Sequence, residues 1–172
     1  MILDLQHIDP QRIAAIDSNG DTLRYDDIAT LSQQITQCIE KRALCFLLVE
    51  NNIGGIAWGM GMLDSRQLVP LILNVKTEAG LYQQLLDTYQ PTYICAPTHV
   101  LVEGLTIDTH FGYTLTKVSN TIYPLHNDLS HLLPTSGSTG SPKLVRHKYE
   151  NIEAAGLNIS TFFELKPTDR PL

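Results

Sequence analysis

The chain has 172 residues, of which 43% are hydrophobic, with 12 Lys and Arg against 18 Asp and Glu for a formal net charge of −6. That length and apolar content fit a soluble globular domain and exclude a disordered or low-complexity chain. The acidic balance argues against nucleic acid as a partner, no apolar run reaches the ~20 residues of a membrane span, and Met1-Ile2-Leu3-Asp4 lacks the basic start of a secretory leader. A cytoplasmic protein is the expectation.

The first segment carries a turn signal, Asp17-Ser18-Asn19-Gly20-Asp21, between the apolar stretches Ile13–Ile16 and Thr22–Tyr25, which predicts a small hairpin. A helix follows: Asp26 or Asp27 can cap it, and Ile28, Leu31, Ile35 and Cys38 recur with the period of one helical face. Ala43–Val49 and Leu68–Leu73 are apolar runs without alternation, as expected of strands buried on both faces of a parallel sheet. Between them, 52–64 is rich in Gly, Ala and Met and holds the lone Trp58, which reads as a crossover helix lying close on the sheet. A helical pattern at Leu81, Leu85, Leu86 and Tyr89 and a short strand, Tyr93–Ala96, ended by Pro97, complete a βαβαβ series with right-handed crossovers.

Beyond Pro97 the pattern changes. Leu105–Asp108 and Tyr113–Lys117 alternate apolar with polar, predicting half-exposed antiparallel strands around Gly112. Residues 129–133 are again apolar, and about 150–165 form a last helix with Ile152, Ala155, Ile159 and Phe162 on one face. The fold class is therefore α/β: a largely parallel sheet with flanking helices and a small antiparallel hairpin region. Cys38, Cys45 and Cys95 stand in apolar surroundings with no Cys-x-x-Cys spacing and are expected to be buried free thiols. The six histidines show no metal-ligand spacing, and no metal site is expected among them.

Residues 135–143 read Thr-Ser-Gly-Ser-Thr-Gly-Ser-Pro-Lys, with hydroxyls, two glycines, one lysine and no acid. Glycines let successive backbone N–H groups turn inward as an anion-binding nest, hydroxyls add donors, and the lysine adds a positive charge, so the segment suits a phosphate. From Leu129 through Tyr149 there is no Asp or Glu, while Lys143, Arg146 and Lys148 make a local basic patch in an acidic chain. A flexible Gly/Ser linker would have a similar composition, but here a strand leads into the segment, a helix follows it, and Pro142-Lys143 is unlike a linker. A Walker A loop is excluded, because Gly137 and Gly140 are too close and Lys143 comes three residues after Gly140.

Thr135 through Lys143 resembles the phosphate-binding signature of the adenylate-forming superfamily: acyl- and aryl-CoA synthetases, peptide-synthetase adenylation domains and luciferases. Weaker similarity runs through Leu23–Ile28, Val69-Pro70-Leu71, Leu85–Pro97 and Asp169-Arg170. The resemblance implies the N-terminal part of the large domain of that fold. It also implies a reaction in which a carboxylate attacks the α-phosphate of ATP, releasing pyrophosphate with Mg2+ present, before the thiol of CoA or a carrier protein takes the acyl group. By the same resemblance Thr135, Ser136, Gly137, Ser138, Thr139, Gly140 and Lys143 would hold the departing phosphates, with Mg2+ ligands outside this chain. No catalytic residue is expected within it.

Two positions depart from the family's pattern: Leu144 stands where glycine is usual after the loop lysine, and Tyr149 where histidine is common. His147 is nearby and reads as a surface side chain beside the basic patch rather than a catalytic base. The family's later motifs lie beyond Leu172, so residues 1–172 read as an N-terminal fragment, expected by itself to form no acyl-adenylate and to self-associate through exposed apolar surface. The other reading is a stand-alone, non-catalytic phosphate-binding or interaction module.

Overall fold

The turn at Asp17 closes a two-stranded antiparallel sheet of β1 (Ile13–Ile16) and β2 (Thr22–Arg24) in the computed structural model, which describes residues 8–135, 143–166, 168 and 169. The Asp17 carboxylate accepts the backbone N–H groups of Asn19 at 2.9 Å and Asp21 at 3.1 Å, an arrangement that fixes the turn locally. Helix α1 (Tyr25–Cys38) begins at once, and Asp27 in its first turn accepts the Arg24 N–H at 2.8 Å. Its buried stripe is Ile28, Leu31 and Ile35, as the spacing predicts, but it continues to Ile39 rather than Cys38. Cys38 is exposed, which corrects the expectation of three buried thiols; Cys45 and Cys95 are buried.

The central unit is β3 (Ala43–Val49), α2 (Ile53–Ser65), β4 (Leu68–Asn74), α3 (Ala79–Tyr89) and β5 (Tyr93–Pro97). β3 pairs in parallel with β4 on one side and β5 on the other. Alternate residues of β3 enter different cores: Ala43, Cys45 and Leu47 join α1 and α2 on one face, and Leu44, Phe46 and Leu48 join α3 on the other. A strand covered on both faces has no use for polar alternation, which is why the run is continuously apolar. α2 packs tightly because of its glycines. A Cβ on Gly61 would lie 3.1 Å from Leu31 Cγ, so α1 crosses α2 at close range there.

The chain continues through β6 (Leu105–His110), β7 (Tyr113–Lys117), β8 (Leu129–Pro134), β9 (Leu144–Lys148) and α4 (Tyr149–Phe162). The seven-stranded sheet has the order β6-β7-β5-β3-β4-β8-β9, with β3, β4, β5 and β8 parallel and antiparallel strands at both edges. β6 and β7 thus extend the main sheet rather than standing apart from it. β9 is an element the sequence pattern does not announce. α4 exposes the apolar face expected of it, with Ile159 at 54% and Phe162 at 80% exposure, and Leu157 and Phe163 are likewise open.

Candidate functional site

In open α/β sheets ligands bind outside the carboxyl ends of parallel strands, where loops diverge and backbone groups are free. The segment 135–143 follows the carboxyl end of β8. β8 meets β4 in register at Leu132 and Leu71, and three residues on from that pair stand Thr135 and Asn74, so the segment starts level with the end of β4. The loops after β3 and β4 lead to helices on opposite faces of the sheet, α2 and α3. This is the switch point at which such crevices form.

Of the residues expected to hold phosphate, Thr135 and Lys143 are described; Ser136, Gly137, Ser138, Thr139 and Gly140 lie outside the described residues. The backbone N–H of Thr135 donates to the Lys143 carbonyl at 2.9 Å, and the Thr135 hydroxyl donates to the same oxygen at 3.2 Å. These bonds close the β8–β9 hairpin at the mouth of the loop and leave Lys143 exposed beside it. Lys148 pairs with Glu150 at 3.5 Å, whereas neither Lys143 nor Arg146 meets a carboxylate among the described residues. Two cations without local neutralisation at the end of an acid-free hairpin form a site suited to a polyanion.

Leu144, in the place where the family's pattern has glycine, belongs to β9 opposite Pro134 and packs at the edge of the core under α3. Tyr149 opens α4 and is buried, its ring 4.3 Å beneath the Arg66 guanidinium. His147 is half-buried, not a free surface side chain: its ring stacks on that of His131 with centroids 4.5 Å apart and planes 2° from parallel. Hairpin register puts the two opposite each other, and Ser130 Oγ contacts His131 Nδ1 at 3.1 Å while donating to the His147 carbonyl at 2.8 Å.

Burial, and secondarily the neighbouring His147, holds the His131 imidazole below its ordinary pKa. The unfolded chain then binds that proton more readily, so stability contributed at this site is full above the unfolded value and lost as pH falls below it toward the folded value. Urea midpoints of the wild-type chain are expected to drop more between neutral and mildly acidic pH than those of His131→Gln. Parallel midpoints over that window would remove His131 as the cause.

Sequence reasoning missed a second polar group at the carboxyl edge. Tyr113, 1% exposed, accepts the Glu50 N–H at 2.9 Å through its hydroxyl, which lies 3.3 Å from Asn52 Oδ1; that oxygen also accepts the Gly55 N–H at 3.0 Å and caps α2. Burial raises the Tyr113 pKa, so the phenol stays protonated and can donate. His99 approaches Glu50 at 3.5 Å from the end of β5. Nothing short of the β3–β7 spatial relation identifies this group, although Glu50-Asn51-Asn52 directly after an apolar run marks a strand end. Among the described residues no group of three or more His, Cys, Asp or Glu could hold a metal ion, and no helix is long and apolar enough to cross a membrane.

No protein-family profile matches this sequence, and no curated protein matches it. Solved structures do. O-succinylbenzoate coenzyme A synthetase (MenE) from Bacillus subtilis, in complex with AMP, superposes with a TM-score of 0.73 at 16% identity over 98% of this chain and 47% of its own. VinN, in complex with 3-methylaspartate, gives 0.70 at 18% identity over 98% of this chain and 52% of its own. MatB from Rhodopseudomonas palustris gives 0.69 at 18% identity, over 96% and 37%. The chain spans about half or less of the length of the proteins it superposes on, and over that span it shares their fold.

Proposed function

We propose that this chain is the phosphate-binding, N-terminal part of an ATP-dependent enzyme that activates a carboxylic acid as its acyl-adenylate and passes the acyl group to the thiol of CoA or a carrier protein. The observation that carries this reading is the acid-free β8–β9 hairpin, closed between Thr135 and Lys143 at the carboxyl end of a parallel sheet of that fold. Three similar structures contain, respectively, AMP, an acyl-adenylate intermediate and ATP.

Lys143 and the loop from Thr135 to Gly140 are assigned to the β- and γ-phosphates. As pyrophosphate leaves, charge moves onto its oxygens, and fixed N–H, hydroxyl and ammonium donors stabilise that charge more than the ground state. The exposed Lys143, which meets no carboxylate among the described residues, fits this role. Mg2+ accompanies ATP and is assigned to residues other than those described. The 172-residue chain supplies the phosphate contacts and no acid–base residue.

Pyrophosphate titrated into the chain by calorimetry tests the assignment. Lys143→Ala is expected to remove about 1.5–3 kcal/mol of binding, the worth of a charge-assisted hydrogen bond. Lys143 is exposed at a loop end, so the variant should fold normally. Equal affinity of the two proteins for pyrophosphate overturns the role given to this lysine.

A further inference from the structure

His131 on β8 and His147 on β9 are direct partners in the hairpin, and their rings stack with centroids 4.5 Å apart. Strand register, not spacing along the chain, makes this pair, which is why the sequence carries no metal-ligand signature for it. The register shifts between Leu129 and His131: β8 takes two steps where β9 takes one, so Ser130 is the extra residue of a bulge. Bulges re-aim side chains, and this one leaves the Ser130 hydroxyl buried and in contact with both histidines.

That hydroxyl has a single hydrogen, and it goes to the His147 carbonyl at 2.8 Å. In the 3.1 Å contact with His131 Nδ1 the ring is therefore the donor, so Nδ1 carries the ring hydrogen and Nε2 keeps the lone pair. A buried partner that fixes the tautomer through one nitrogen and frees the other is the arrangement that supports a metal-bound histidine. Both rings are half-buried and reach solvent. Arg146 is paired with Leu132 and so projects to the other face of the sheet. Lys148 is paired with Glu150 at 3.5 Å, and the next pair on the histidine face, Leu133 and Val145, is uncharged. We propose that His131 and His147 form a two-imidazole site for a divalent late first-row metal ion, held by His131 Nε2 and a nitrogen of His147, with water in the remaining positions. A tilt of the stacked rings toward each other lets them share one ion. Nitrogen donors without a carboxylate select Cu2+, Ni2+ and Zn2+ over Mg2+ and Ca2+, with Cu2+ bound most tightly. The site uses neither Lys143 nor the loop before it and does not depend on the ATP reading.

Cu2+ titrated into the isotope-labelled chain in a non-coordinating buffer tests it, with backbone amide resonances and the electron paramagnetic resonance spectrum followed together. Broadening centred on His131 and His147 is expected to saturate at one equivalent, and the paramagnetic spectrum to show two nitrogen ligands, a result that needs no variant. Ser130→Ala should weaken Cu2+ about tenfold, the usual cost of losing the outer partner of a ligating histidine, and His131→Gln or His147→Gln should weaken it further. His126→Gln, at an exposed histidine, should leave binding unchanged. The proposal fails if broadening centres on His99, His110 or His126, if fewer than two nitrogens ligate, if Mg2+ competes with Cu2+ at equal concentration, or if Ser130→Ala or either variant of the pair binds as the wild type does.

Discussion

Trp58→Ala is expected to destabilise the chain by about 3–5 kcal/mol, the cost of removing a large aromatic from a packed core. Trp58 is 0% exposed in α2, within the core that joins α1, α2, β3, β5 and β7. Its indole Nε1 donates to the His110 carbonyl at 3.0 Å, tying α2 to the β6–β7 turn. Alanine therefore leaves a cavity and also removes the partner of a carbonyl. Trp58→Phe keeps most of the apolar contact but not the hydrogen bond, so its loss should be much smaller, about 1–2 kcal/mol. Urea denaturation followed by far-UV circular dichroism measures both without relying on the fluorescence of the tryptophan being removed. A Trp58→Ala loss below that of Trp58→Phe would contradict the packing described.

Gly54→Ala is expected to cost about 2–3 kcal/mol, although alanine is normally the better helix former. A Cβ at Gly54 would strike the Phe111 carbonyl oxygen and lie 2.5 Å from both Cδ2 and Cε2 of Tyr113, a ring that is itself buried. The turn between β6 and β7 is pressed against the first turn of α2, and backbone cannot swing aside as a flexible side-chain end can. Gly156→Ala is the internal control: Gly156 lies in α4 with nothing within 4 Å of the added carbon, so helix propensity alone acts and the variant should be stabilised by about 0.5–1 kcal/mol. The same substitution in two helices should thus change sign. Equal and small effects at both sites would show that α2 does not approach the turn this closely.

Most of the sheet could be read from the chain because burial on both faces leaves a direct trace: Ala43–Val49 feeds two cores at once and has no polar position to spare. Helix ends were less legible. Residues three and four places after Ile35 both fall near the apolar face, and only the turn of the chain at the end of α1 decides that Ile39 goes in and Cys38 stays out. β9 was missed because Arg146, His147 and Lys148 carry no strand signal; an edge strand paired only to β8 can afford charged residues that a central strand cannot. The position of His147 follows from that omission. Its stacking partner His131 lies across the hairpin, so without β9 there is no register to bring the rings together.

For the candidate site, local chemistry was readable and location was not. Thr135 through Lys143 declares its affinity for anions in its composition, whereas its placement level with Asn74 at the end of β4 depends on β8 inserting beside β4 rather than at the other edge. The group around Tyr113, Glu50 and Asn52 joins residues more than sixty positions apart in the chain, and no spacing rule reaches that far.

β9 ends at Lys148 and α4 begins at Tyr149, with no residue between them. The direction in which α4 leaves the sheet is therefore set at a single junction, by the β8–β9 pairing before it and by Tyr149, buried under Arg66, after it. The helix that exposes Ile159 and Phe162 thus starts directly from the strand that Lys143 leads into, with no loop to set its direction separately.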